Sequence, residues 1–366
     1  MKIKYTTFWN GDKKILFDIE MLSYYKIEFE NINKNNDYTF YFLKRNQFVW
    51  LFQHDILNRV SYSKLDKFYK ESQILKKYYN NLINLCKVEK ISHIVFTSTW
   101  QYWHPDFLNE LKNNKIIISL STADDDTNQI NYCSRPYTKY YDYHFHVWVM
   151  YDKRWTTIAD KLKQWWWNPI WIPLWARAKH INKNVNFENR DIEVTYIWNV
   201  NPPKIFRLSK LKKHFWDRLK LYWWQWNWDW KSLKWIFYKL TNIIFWLWYI
   251  EAISDEKLKE IYRKSKIGFN MHLVDYKWPS NSRMYELPAN WVMQICDNEL
   301  GLKNIFKNWK EIVAYKNIDD AIEKIEYYLK NKDERIKIAK AWYDKAINNY
   351  KVEQSFKKMF NLIFKK

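Results

Sequence analysis

Between residues 61 and 87 the apolar positions Leu65, Phe68, Tyr69, Ile74, Leu75, Tyr78, Leu82, Ile83 and Leu85 return at three- and four-residue spacing among lysines. That period predicts a long amphipathic helix, broken at most once. It leads into ISHIVFT at residues 91–97, a short β-branched run that reads as a buried strand ending in the loop Ser98-Thr99-Trp100. A helix over residues 105–113 and the run IIISL at 116–120 follow. Strand, helix and strand at that spacing form a right-handed βαβ unit on a parallel sheet. Further strands are expected at 144–150 and 169–173, and residues 175–187 read as a polar, irregular connection.

The second half repeats this alternation. IEVTYI at 192–197 is a predicted strand, 202–215 a helix opened by proline, and 218–222 a strand. Residues 254–265 form a helix with Asp255 and Glu256 in its first turn, and KIGFN closes as a strand at 270. A helix at 282–290 runs into a strand at 291–296. After short elements at 302–308 and 311–315, helices at 318–330, 333–349 and 352–364 complete the pattern. The fold class expected is α/β, with two doubly wound Rossmann-like domains: 1–178, then 188–350, with 351–366 as a closing helix that crosses back to the first. In such sheets ligands bind outside the carboxyl ends of the strands.

Composition changes this picture in one respect. The 366 residues include 3 Gly and 25 Trp, whereas an average domain of this length holds about 7% glycine, roughly 26 residues. The tryptophans also occupy turn contexts: Asn308-Trp309, Trp278 before Pro279, and Trp223, Trp224, Trp226, Trp228 and Trp230 interleaved with Gln225, Asn227 and Asp229. The pattern implies UGA codons that the source organism reads as glycine, in keeping with the Lys, Asn, Ile, Tyr and Phe content of an AT-rich gene. The alternative is a truly tryptophan-rich chain, such as a sugar-stacking surface. The codons decide between them.

A net charge of +21 raises a nucleic-acid reading. The lysines form no block of five or six, so the expectation is no nucleic-acid partner and a weak attraction to anionic membrane or nucleotide phosphates. The N-terminal MKIKYTTFW lacks an apolar core, and no run of 18 apolar residues occurs. A cytoplasmic protein, in contact at most with the inner face of the membrane, is expected. Cys86, Cys133 and Cys296 show neither a disulfide framework nor zinc-ligand spacing.

Candidate chemistry gathers at the strand ends of the second half. Trp198-Asn199 follows IEVTYI, Trp223 follows RLKLY with Tyr222 as its last residue, and Met271 and His272 follow KIGFN. With glycine at 198, 223 and 291 these become tight turns whose backbone N–H groups can face a diphosphate. Ser280 and Ser282 offer hydroxyl donors, Arg283 a fixed positive fork, and Glu286, one turn further, an acceptor for a ribose hydroxyl pair. The competing reading of Arg283 and Glu286 is an ordinary i,i+3 surface pair.

At these residues the chain resembles the GT-B glycosyltransferases, most closely the bacterial spore-maturation, CgeB-like group of glycosyltransferase family 1 type. The resemblance rests on YIWNVNPPKIFRLSKL, RLKLYW, EKLKEIYRKSKIGFNMHL, the stretch from SNSRMYE to VAYKN, and KNKDERIKIAKAWYDKAINNY. It covers residues 190–350 well and the first half in outline, through YDYHFH, IPLWA and Asp124 to Asp126. Trp198, Trp223, Trp291, Trp309 and Trp342 fall where that group carries glycine. The resemblance implies a GT-B architecture with the two domains facing across a cleft and a metal-independent transfer from a nucleotide-sugar, which is substrate rather than cofactor. The acceptor would be a glycan, lipid or protein. It implies that Glu286 binds ribose while Arg283, Ser282 and the Trp198-Asn199 turn neutralise the diphosphate. Asp124, in the acidic run after IIISL, or His104 would then serve the acceptor as general base. A solvated acidic turn and a structural histidine are their competing readings. A non-catalytic sugar-binding or scaffold protein on the same two domains is the rival function.

Overall fold

Short apolar strands separated by amphipathic helices build two sheets, one in each of two units. The computed structural model of the chain describes residues 3, 5–18, 22–43, 62–96, 103–122, 139–146, 169–172, 176–197, 202–224, 251–272, 281–297, 305–308 and 310–364. Met1–Pro173 with Val352–Lys366 forms the first unit and Leu174–Lys351 the second.

The first unit runs β1 (Tyr5–Phe8), β2 (Lys13–Phe17), α1 (Leu22–Ile32), β3 (Tyr38–Leu43), α2 (Tyr62–Glu71), α3 (Gln73–Glu89), β4 (His93–Phe96), α4 (Pro105–Asn113), β5 (Ile117–Thr122), β6 (Tyr143–His146) and β7 (Pro169–Trp171). Its sheet has the order β1-β3-β2-β4-β5-β6-β7. The sheet is parallel except for β1, which pairs antiparallel with β3, a departure from the all-parallel expectation. The reason is length: the few residues from Phe8 to Lys13 cannot make the dozen-residue crossover that a parallel β1–β2 pair needs. The helix expected over 61–87 breaks at Ser72, whose hydroxyl accepts the Leu75 N–H at 3.2 Å and caps α3.

Every residue of β3 is buried, as in a strand covered on both faces. The closing helix, Val352–Phe364, covers it from the far end of the chain. Phe356 stacks on Phe29 at 5.0 Å, Phe360 lies 5.7 Å from Phe40, and Phe364 lies 5.8 Å from Tyr38. Phe356, Met359, Phe360 and Ile363 are all buried, the i, i+3, i+4, i+7 stripe of an amphipathic helix.

The second unit runs β8 (Ile192–Ile197), α5 (Pro202–Phe215), β9 (Leu219–Trp224), β10 (Glu251–Ile253), α6 (Asp255–Lys264), β11 (Ser265–Asn270), α7 (Arg283–Glu286), β12 (Met293–Cys296), β13 (Val313–Ala314), α8 (Ile318–Lys330) and α9 (Lys332–Asn349). All pairings in its sheet are parallel, in the order β10-β9-β8-β11-β12-β13. Counted from β8 this is 3-2-1-4-5-6, the doubly wound order whose direction reverses between the first and fourth strands. The reversal lies between β8 and β11. Val194, Tyr196, Leu208, Phe269, Met293, Ile295 and Ile325 belong to the buried core around this sheet.

The α-helix is shorter than the 282–290 span expected. Residues 283–286 are α-helical, and Pro288–Asn290 form a 3-10 turn, because Pro288 has no N–H to continue the α ladder. Trp291 then takes φ 59°, and the strand starts at Met293 rather than at 291.

Candidate functional site

Of the residues singled out from sequence, Trp198, Asn199, Ser280 and Asp124, with Asp125 and Asp126, lie outside the described residues. Trp223 is described as backbone in β9, beside Ala252 of β10. Tyr222 is half-buried and lies beside Ile197 in the sheet. His272, Ser282, Arg283 and Glu286 gather at the carboxyl ends of β8 and β11. The structure brings these four into one neighbourhood, and His104 belongs to the other unit.

Two asparagines set that neighbourhood. Asn270, the last residue of β11, and Asn281, just before α7, exchange side-chain amide bonds of 3.0 and 2.8 Å. Asn281 Oδ1 also accepts the Met284 N–H at 3.3 Å. The strand end is thereby pinned to the start of α7.

Arg283 and Glu286 are 3% and 2% exposed, so the surface-pair reading does not hold. They form an ion pair through Arg283 Nη1 and Glu286 Oε2. Arg283 Nε donates to the carbonyl of Ile197 at 2.8 Å, and Nη1 lies 3.4 Å from the Ser282 hydroxyl. Burial alone would push the Glu286 carboxyl up, but Arg283 and then His180 outweigh it and hold it down at about 2. A buried charge pair is retained at a cost in desolvation, and such pairs concentrate where binding or catalysis uses them.

His180 was not foreseen from the sequence. It sits in a 3-10 turn, Ala178–His180, and is 2% exposed. Its Nδ1 lies 3.6 Å from Glu286 Oε1 and its Nε2 lies 3.9 Å from Asp255 Oδ2. Burial pushes this imidazole down, yet Asp255 and Glu286 together raise its pKa above the ordinary value. Asp255 opens α6 and also pairs with Lys179. The segment is sewn to its unit by Asn290 Nδ2 donating to His180 O at 2.9 Å and by Asn182 N donating to Ala289 O at 2.8 Å.

A second cluster stands at the ends of β11 and β12. Asp297 accepts the His272 backbone N–H at 2.9 Å, and its Oδ1 lies 2.6 Å from His272 Nδ1. Arg207 Nη1, from α5, is 3.5 Å from Asp297 Oδ2. Burial opposes ionisation of Asp297, but His272 and Arg207 reverse this and lower its pKa. Lys204, in the first turn of α5, is 2% exposed, and burial brings its ammonium down to about 8 against the pull of Asp297. Sequence spacing alone did not single out Lys204, Arg207 or Asp297. Their signals were a lysine two residues into a helix that follows a strand, and a carboxylate directly after the apolar run of β12.

Among the described residues His272, Cys296 and Asp297 bring one potential ligand atom each to within 4.8 Å of one another. The donor set fits a divalent cation poorly. Nδ1 and the carboxylate are engaged with each other, Arg207 and Lys204 already bring positive charge, and burial pushes the Cys296 thiol well up, whereas metal binding requires the thiolate.

His104 caps α4. Its Nδ1 accepts the Asp106 N–H at 3.2 Å, Nε2 lies 3.2 Å from Asp66 Oδ1, and its ring stacks on Tyr69 at 3.8 Å. Both nitrogens are in use, as expected of a structural histidine. Among the described residues no helix is long and apolar enough to cross a membrane.

The comparisons with known proteins agree with this architecture. The Glycosyl transferase-like family model matches residues 228–361. A glycosyltransferase from Rickettsia africae is similar in structure, with 13% identity, 97% of this chain and 98% of that chain covered, and a TM-score of 0.57. The Anabaena protein HepE, crystallised with UDP and glucose, has 9% identity, covers 96% and 99%, and gives 0.59. A putative UDP-N-acetylglucosamine 2-epimerase from Listeria monocytogenes has 11% identity, covers 97% and 96%, and gives 0.55. No curated protein sequence matches the chain. The fold is the two-sheet GT-B architecture of glycosyltransferases, over nearly the whole chain.

Proposed function

We propose that the chain transfers a sugar from a nucleotide-sugar, of the UDP class, to an acceptor hydroxyl, and that the second unit holds the donor. The observation that carries this reading is the buried Arg283–Glu286 pair at the point where the strand order of the second sheet reverses. A doubly wound sheet binds its ligand there. A CgeB-like ancestry accords with the same residues.

In this reading Glu286, kept ionised by Arg283 and His180, accepts from the ribose hydroxyls. Lys204, Arg207, His272 and the first turn of α5 face the diphosphate, with Ser282 and the turns after β8 and β9 as further donors. When the bond from the anomeric carbon to the diphosphate breaks, the electron pair stays on the phosphate oxygen. Fixed positive groups and helix N–H dipoles stabilise the charge left there, and the proposed reaction is metal-independent. The acceptor hydroxyl loses its proton to a base, for which Asp124 remains the candidate of the first unit.

A turnover screen tests the reading. Protein made with glycine at each Trp position whose codon proves to be TGA is incubated with a panel of UDP-sugars, and released UDP and changed sugar are measured separately. UDP release in step with sugar transfer or hydrolysis supports a glycosyltransferase. Epimerised donor with no net release, or binding without turnover, overturns it in favour of an epimerase or a sugar-binding protein.

A further inference from the structure

The first sheet reverses its strand order as the second one does. From β2 the chain passes through α1 to β3 on one side, then through α2 and α3 to β4 on the other, and β5, β6 and β7 continue that way. The reversal lies between β2 and β4, and ligands of such a sheet sit outside the carboxyl ends of the strands at that point. The residue that follows β2 there is Asp18. Its N–H donates to the Val95 carbonyl of β4 at 3.3 Å, which ties the two strand ends together, and the residue is 5% exposed.

Aspartate is seldom buried to this depth, and a carboxylate held away from water carries a desolvation cost. Tyr78, buried in α3, lies within its electrostatic reach: burial first, and then the Asp18 charge, push the Tyr78 hydroxyl pKa up. The residues at the strand ends, Leu43, Asp18, Phe96, Thr122, His146 and Trp171, comprise one carboxylate and no lysine or arginine. The second sheet has Lys204, Arg207 and Arg283 at its own carboxyl edge. An anion meets repulsion at Asp18, whereas a cation has to shed its own hydration and approach a chain of net charge +21. A sugar hydroxyl is an uncharged donor, and a carboxylate accepts from it in a charge-assisted bond.

We propose that Asp18 is the hydrogen-bond acceptor of a second ligand site, in the first unit, and that this site takes an uncharged polyhydroxy compound, the one that receives the transferred sugar. The proposal rests on the nucleotide-sugar reading and adds to it the chemical class of the acceptor and a residue that holds it. Pairing of Leu16 with Ile94 and of Phe17 with Val95 fixes where the carboxylate stands.

The test measures UDP release from UDP-sugars by the full chain, with glycine at each Trp position whose codon proves to be TGA, against rising concentrations of methyl hexosides and of the corresponding hexoside phosphates. The uncharged hexosides should raise the rate saturably, and the phosphates should not. Asp18→Asn should raise the KM for the hexoside roughly tenfold or more, the loss of a charged hydrogen bond, with UDP affinity measured by calorimetry unchanged. Should Asp18→Asn fail to fold, judged by circular dichroism, hydrogen exchange in the unaltered chain carries the test: the hexoside should slow exchange of the amides around Asp18. An unchanged KM in folded Asp18→Asn, or unchanged exchange around Asp18, overturns the proposal and leaves the donor site standing. Acceleration by the phosphates alone, or by no sugar, also overturns it. So does a loss of UDP affinity in Asp18→Asn as large as the rise in KM, which marks a general disturbance of the chain rather than a lost contact. Absence of UDP binding and release by the unaltered chain overturns the nucleotide-sugar reading itself.

Discussion

Arg283 Nε donates to the main-chain carbonyl of Ile197 at 2.8 Å, across 86 residues of sequence. One guanidinium thus holds the end of β8 and the carboxylate of Glu286 together. Arg283→Ala removes both bonds and leaves Glu286 buried without its main counter-charge, a change that costs about 3 to 5 kcal/mol. Urea unfolding should show a loss of that size, with Arg283→Lys recovering only part of it because an ammonium cannot serve both partners in fixed geometry. Equal stability of Arg283→Ala and the unaltered chain would mean that the network does not hold the strand end.

The His180 row makes stability depend on pH in a defined direction. Its folded pKa is raised, so the contribution is complete below the ordinary value of about 6.5 and is lost as pH rises through the folded value. Glu286 runs the opposite way, contributing above about 4.3 and losing that contribution as pH falls through about 2. Unfolding midpoints measured from neutral to alkaline pH should therefore fall in the unaltered chain and fall less in His180→Gln. Parallel curves for the two would remove His180 from the network.

Trp9, Trp216 and Trp291 have φ of 65°, 46° and 59°. A bulky aromatic rarely adopts the left-handed region. Trp216 follows directly on α5, where helices commonly end on glycine, and is 57% exposed. Trp216→Gly should stabilise the chain by about 1 to 2 kcal/mol, the cost of a side chain in that region. Trp291 is a mixed case, since its ring stacks on Tyr343 at 3.6 Å and its Nε1 donates to Asn182 O at 2.9 Å. Trp342 is fully buried within α9 against Phe306, with none of this backbone signature. The gene should carry TGA at positions 9, 216 and 291, and peptides of the organism's own protein should have glycine mass there. TGG codons would end the recoding account.

The helix and strand periods of the second half were legible because each strand is short, apolar and bounded, and because Pro202 and Asp255 mark helix starts. The first sixty residues were harder to read. Their strands alternate little, since β3 is buried on both faces, and β1 pairs with a strand that is not its neighbour in sequence. Arg283, Glu286 and His272 could be picked out as polar residues at strand ends. Their burial could not, and neither could His180, Lys204 or Asp297, because those depend on which strand ends the sheet order makes adjacent. Pro288 stands in the sequence inside the expected 282–290 helix, and it is where the α-helix gives way to a 3-10 turn.

Calorimetric titration of UDP tests the central claim most directly, on the chain with glycine at each Trp position whose codon proves to be TGA and on its Glu286→Gln variant. The account predicts saturable UDP binding, weakened in the variant by roughly tenfold or more for the loss of a charged hydrogen bond, with the thermal unfolding midpoint measured alongside to show that both are folded. Equal UDP affinity in two folded proteins, or no UDP binding in either, would contradict a donor site built on Glu286.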